Sequence, residues 1–412
     1  MARVRETGAT QASPGRLVME TEYTTVATSA SAAPSPWRME PYRLFFILGV
    51  LLSWVGVGHW LLYALGISAT YSCQLHGLIQ MQGFMMSFAT GFLLTALPRR
   101  TQSAPPTFAE MAILALALIA ITAASVVENW AVAQVAYAII FAVLIRFAIT
   151  RFLGAASGRR PPAAFVLIPI GIAHALVGAA AIFAESAGRL PQWALGFGLL
   201  LVEQGVFLCL AIGVGSLVLP LIAGAPPPPD LGSSPGETRR AMLFAAAGAS
   251  IFVSLLLEQI GWVRTGPLLR ALVVAMGLGP VAWRAAAKPG LHRQFVRLAA
   301  WMIPLGLTVS ALWPDYRVPA LHIVFIGGFG LMAFAVATHV AVSHLDLGDL
   351  AVGRPWPVVV LGASFALALA ARLFADASES YFAHLGWAAG CWMVGSALWL
   401  VFFAPKLLRV LK

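Results

Sequence analysis

Charge is what this chain has least of. Only 10% of its 412 residues are Asp, Glu, Lys or Arg, while 60% are hydrophobic, against roughly 25% charged residues in soluble domains. Such a composition excludes a freely soluble enzyme. Cysteine is also scarce. Cys73, Cys209 and Cys391 form no CxxC pair and no metal-type spacing, which argues against a disulfide framework and a zinc site. No CxxCH stands in the chain, so a covalent c-type haem is excluded as well. Polar stretches are confined to 1–41 and 223–238, too short for a built-in electron-entry domain.

Long apolar runs are present instead. A bilayer core about 30 Å thick needs about 20 apolar residues per helix, because no unpaired backbone group can face lipid. Twelve such spans are expected, at 42–66, 72–97, 106–128, 130–153, 161–186, 192–222, 239–262, 267–285, 293–313, 317–343, 356–377 and 381–404. The fold class is therefore all-α, a polytopic membrane protein. Residues 1–41, rich in Ala, Ser, Thr and Pro, read as a flexible cytoplasmic tail. The segment 223–238, "AGAPPPPDLGSSPGET", reads as a cytoplasmic linker that separates spans 1–6 (42–222) from spans 7–12 (239–412).

The net charge of +10 would suggest nucleic acid in a soluble protein; here its placement matters more, and no nucleic-acid partner is expected. Arg99 and Arg100, Arg151 with Arg159 and Arg160, Arg239 and Arg240, the group Arg284, Lys288, Arg293 and Arg297, and Lys406, Arg409 and Lys412 fall in alternate connections. Arg189, Arg264 and Arg317 make up most of the opposite set. The positive-inside rule then places both termini in the cytoplasm.

That orientation gives each ionisable residue a depth. His59, His76, His322 and His384 occupy one outer layer on four different spans, while His174 and Glu203 lie near the middle of spans five and six. His339 and His344 lie toward the cytoplasmic end of span ten, and His292 falls in a basic loop where solvation explains it. Glu128, Glu185 and Glu258 sit at outer helix ends within reach of water. A lone histidine near a helix end is usually an interfacial, hydrogen-bonded residue. Four in one layer suit a metal or haem site built from facing helices. Glu203, followed by Gln204, reads either as a proton relay or as half of a buried hydrogen-bonded pair. Gly83 and Gly91, and Gly327, Gly328 and Gly330, allow close approach of a neighbouring helix or of a flat macrocycle, with helix packing the commoner use.

Four segments carry a resemblance: "YRLFFILGVLL" at 42–52, "HGLIQMQGFMMSFATGFLLTALPRRT" at 76–101, "WMIPLGLTVSAL" at 301–312 and "ALHIVFIGGFGLMAFAVATHVAVSHLDLG" at 320–348. With them the chain resembles the NnrS family, bacterial membrane proteins associated with the response to nitric oxide. The resemblance implies a polytopic protein of the bacterial cytoplasmic membrane containing haem and copper. It points to His76, His322 and His344, each where the family pattern has a histidine. The family usually reads H-x-H-E at the start of span two, where this chain has Leu78 and Ile79 in place of the second histidine and the glutamate. An arginine usually stands in place of His339.

The leading expectation is haem held by His76 and His322, with His59, His174, His339, His344 and His384 as candidates for a further metal site, copper among them. Nitric oxide or another small diatomic is the expected ligand, and a quinol or separate protein the electron donor. A second reading is a proton-coupled transporter using His174 and Glu203; a third is a cofactor-free structural or sensory subunit. The orientation is directly testable. In a background with the three cysteines changed to serine, an impermeant maleimide applied to whole cells should label Ser68→Cys and spare Ser233→Cys. The opposite pattern would invert the topology.

Overall fold

The structure is a computed structural model that describes residues 35–154, 158–282, 288–345 and 347–409. Residues 1–34 of the expected tail, together with Arg284 and Lys412 of the basic clusters, lie outside the described residues. Among those described there is no β-strand, only one isolated bridge between Pro162 and Asp230.

Among the described residues, eleven helices are long and apolar enough to cross a membrane. They are α1 (Tyr42–Ala64), α2 (Cys73–Thr101), α3 (Phe108–Val126), α4 (Trp130–Leu153), α5 (Ala163–Ser186), α6 (Gln192–Gly213), α7 (Pro235–Gln259), α9 (Leu291–Leu312), α10 (Pro314–His344), α11 (Gly348–Ala375) and α12 (Tyr381–Leu408). Between α7 and α9 stands α8 (Thr265–Ala282), whose apolar part, Thr265–Gly279, is shorter than the others. It occupies the place of the expected span 267–285. The chain is thus an all-α, polytopic integral membrane protein.

Local chemistry sets the helix ends. Ser72 caps α2 by accepting from the Leu75 N–H, and Thr107 forms a reciprocal capping box with Glu110 at the start of α3, satisfying backbone donors that have no partner within the helix. The expected linker is only partly irregular. A short helix, Gly215–Ala223, continues α6, and Gly224 closes it at φ +85°. Pro235 opens α7 at its first position, where a missing N–H costs nothing. Asp230 between them accepts from Arg100 at 2.5 Å and from the Arg160 N–H at 3.2 Å.

Basic side chains, Arg293 of the topology set among them, also cap carbonyls. Arg43 is buried and donates from Nη1 to the Leu407 and Arg409 carbonyls, both at 2.8 Å. Arg293 Nε donates to the Ile222 carbonyl at 2.9 Å. Helix C-termini expose unpaired acceptors, so guanidinium groups gather at that end for a local reason besides topology. His292, read from sequence as a solvated loop residue, is 1% exposed. Helix α9 begins at Leu291, one residue before it, which turns its ring inward.

Sequence-adjacent helices pack against each other, and α12 returns to lie along both α11 and α1. Enclosure is unequal. In α2, α6 and α10 67% of the most apolar stretch is buried, against 28% in α7 and 39% in α5, α11 and α12. The first three form the interior; the others present residues such as Leu116, Leu272 and Val401 outward, as lipid contact requires. Glycine makes one close crossing. A Cβ on Gly178 would stand 2.9 Å from the Gly198 carbonyl, and one on Gly198 2.9 Å from the Gly178 carbonyl, so the backbones of α5 and α6 touch there. Gly178→Leu should destabilise the detergent-solubilised protein by about 1–3 kcal/mol through overpacking, read as a lower thermal unfolding midpoint.

Candidate functional site

The three enclosed helices share a departure from regular geometry. Each contains a π-helical segment: Ile79–Met85 in α2, Leu201–Gly205 in α6 and Ile323–Gly330 in α10. A π segment inserts a residue into the turn, shifts the helix face that follows, and occurs frequently at functional sites. His76 lies three residues before the first, Glu203 lies inside the second, and His322 immediately precedes the third. All three residues border one cavity of about 440 Å³, within the range of about 300–1,000 Å³ typical of small-molecule and cofactor sites.

The imidazoles of His76 and His322 are fixed in the same way. His76 Nδ1 lies 2.9 Å from the Gly56 carbonyl of α1, and His322 Nδ1 lies 2.8 Å from the Val318 carbonyl one turn earlier. A carbonyl only accepts, so each Nδ1 carries the proton and donates, leaving Nε2 as the lone-pair nitrogen. Metal-binding histidines are held in this manner. The ring centroids are 6.2 Å apart and the ring planes differ by 11°. A pair so spaced could hold one metal ion between them, each imidazole nitrogen bonding at about 2.0 Å.

Around the pair the lining is largely apolar, including Trp60, Phe84, Phe325 and Trp392. Gly77, next to His76, packs directly on the Glu203 carboxylate: a Cβ there would collide with Oε1. The carboxyl group is thereby held against the turn that carries His76. Arg317, Arg372 and Tyr381 also border the cavity. Arg317 Nε donates to Glu258 Oε1, and Arg270 Nη2 donates to Glu258 Oε2. Arg372 Nη1 pairs with Asp376 Oδ2 at 2.6 Å. Glu258, expected at a water-accessible helix end, is instead 6% exposed and shared by two guanidiniums.

The remaining candidates are dispersed. His59 packs 6.3 Å from the His76 ring and 4.7 Å from Trp60, beside the cavity but outside its lining. His384 only donates from Nδ1 to the Ser380 carbonyl at 3.1 Å. His174 is buried against Cys209 Sγ at 3.9 Å and the Phe252 ring, away from the lining that Glu203 joins; the pairing a transporter site would need is absent from this cavity. His292 Nε2 and His339 Nδ1 are 3.2 Å apart. His344 meets Arg99 through Nε2 and packs on Tyr42. Among the described residues no three His, Cys, Asp or Glu side chains converge as a metal site. Gly91, Gly328 and Gly330 face Phe45, Ile303 and Trp392, the helix-packing use of glycine.

Sequence reasoning did not single out Arg372, Gly77 or the π segments. Arg372, an arginine inside an apolar span, carried a signal; the π segments carried none, because one inserted residue hardly alters an almost uniformly apolar pattern. What the fold and cavity define is an integral membrane protein with a histidine-lined, arginine-edged cavity inside its helix bundle. The family profile described as NnrS protein matches residues 36–410, nearly the whole chain, and the chain belongs to the NnrS family. That membership points to a membrane protein of the nitric oxide response. No curated protein matches the sequence.

The shared carboxylate of Glu258 supports a direct test. Glu258→Gln leaves Arg270, which is 0% exposed, without its counter-charge, and should cost about 3–5 kcal/mol. Adding Arg270→Met to that variant should restore much of the loss, both changes read from thermal unfolding in detergent.

Proposed function

We infer that this protein is a haem-binding membrane protein of the nitric oxide response, of the bacterial cytoplasmic membrane, with His76 and His322 as the residues that would hold the haem iron near the outer face. The observation that carries the reading is the imidazole pair: two near-parallel rings 6.2 Å apart, each with Nδ1 tied to a backbone carbonyl, bordering an apolar cavity. The donor set suits iron, which takes neutral imidazole readily, and the largely apolar lining suits a macrocycle. When bound, haem would supply one-electron chemistry and an iron centre for nitric oxide.

The chain's own residues do the rest. The Gly56 and Val318 carbonyls hold the two Nδ1 protons and so fix the tautomer and the ring angle. Trp60, Phe84, Phe325 and Trp392 keep water from the ring edges while admitting a neutral diatomic from the lipid. Glu203 stands beside His76, where its carboxyl oxygen is in position to hold or exchange a proton with a ligand in the cavity. A quinol or a separate protein would donate electrons to the bound haem.

The test is spectroscopic. Protein purified from haem-supplied cells should show a Soret band in proportion to its iron content, and both His76→Ala and His322→Ala should lose most of that band while remaining folded. Nitric oxide added to the reduced protein should shift the band. A colourless, iron-free and well-folded preparation would refute the reading.

A further inference from the structure

The ion cluster beside the cavity is not balanced. Arg270 is fully buried, and its Nε and Nη1 have no hydrogen-bond partner. Its Nη2 shares the Glu258 carboxylate with Arg317. Within the hydrogen-bonded cluster one carboxylate therefore faces two guanidiniums, one positive charge in excess, which Glu203 on the same cavity lining offsets only when it is ionised. A buried surplus charge is strongly unfavourable unless something of opposite sign compensates it. Arg317 is the member of the cluster that reaches open space, with 29% of its side chain exposed, and the space it borders is the cavity.

A second guanidinium lines the same cavity. The Tyr316 hydroxyl donates to the Leu373 carbonyl, which ties the start of α10 to the end of α11, next to Arg317 and Arg372 in sequence. Arg372 is charge-matched by Asp376 through Nη1, so it contributes further N–H donors without adding to the surplus. Guanidinium forks match carboxylates in geometry as well as charge. The rest of the lining is mostly apolar, which fits a ligand that is apolar over most of its surface and anionic along one edge.

Resting on the haem reading, we propose that Arg317, held from behind by Glu258 and Arg270, acts with Arg372 to bind the carboxylate arms of the tetrapyrrole. The cavity then selects a porphyrin bearing two neighbouring carboxylates over an uncharged one. Arg317 and Arg372 are the residues that set this preference, and the histidines set ligation; the two roles separate experimentally.

Haem-free protein in lipid nanodiscs is titrated with ferric haem and with its dimethyl ester, followed by absorbance and by quenching of tryptophan fluorescence. The wild type should bind haem at least about tenfold more tightly than the ester, the scale expected for charge-assisted hydrogen bonds. Arg317→Gln should erase most of that preference while leaving the ester's affinity and the position of the absorption band unchanged. Arg317→Lys, which keeps the charge and loses the fork, should fall between. Arg372→Gln lies outside the Glu258 cluster and should lower the preference in the same direction, covering the case in which Arg317→Gln does not fold. Equal affinity of the wild type for haem and ester, with a histidine-ligated spectrum for both, would overturn the proposal and leave the haem reading standing. Absence of binding by either compound, with His76→Ala indistinguishable from the wild type, would refute the haem reading and the proposal with it.

Discussion

No water is available in a bilayer core to satisfy a backbone group that has lost its partner. Every helix must close its own hydrogen bonds, and any irregularity has to be absorbed inside the protein. That constraint places the site. The π segments of α2, α6 and α10 fall on the three most enclosed helices, where neighbouring helices rather than lipid surround the distorted turns. The same segments adjoin His76, Glu203 and His322, so the distortions that need shelter accompany the polar groups that need it.

Burial then governs how the polar groups are held. An imidazole in an apolar cavity keeps a single tautomer only if one nitrogen has a fixed partner, and the Gly56 and Val318 carbonyls provide it. Guanidiniums in the same setting need counter-charges, which Glu258 and Asp376 supply incompletely and completely, respectively. The cavity is consequently polar at a few defined points and apolar elsewhere, as expected of a site that orients a large, mostly apolar ligand. At the opposite end, where the arginine-rich connections lie, His292, His339 and His344 are engaged with one another, with Arg99 and with Tyr42, a separate set of contacts.

The histidine reading from sequence divides along the same physical line. His76 and His322 were legible because a polar side chain in an apolar run is conspicuous and because the two stand in the most recognisable segments of the chain. His384 shared their depth but not their direction: depth along a helix follows from counting residues, whereas direction depends on rotation about the helix axis and on the neighbour it meets. Glu258 and His292 show the converse. Each sits near a predicted span boundary and looked accessible, yet each is covered by a helix distant in sequence or begun earlier than hydropathy suggested.

The sequence by itself determined the membrane environment, the all-α class, the succession of apolar spans, and the family, because these depend on composition, on run length against bilayer thickness, and on motifs contiguous in the chain. Only the tertiary structure decided that Glu203 belongs with His76 and not with His174, that Arg317 and Arg372 edge the cavity, and that the copper candidates do not converge. Those facts rest on helix rotation and on crossings between segments far apart in sequence. In an almost uniformly apolar chain the amphipathic pattern that would report a helix's rotation is nearly erased, so only packing can reveal it.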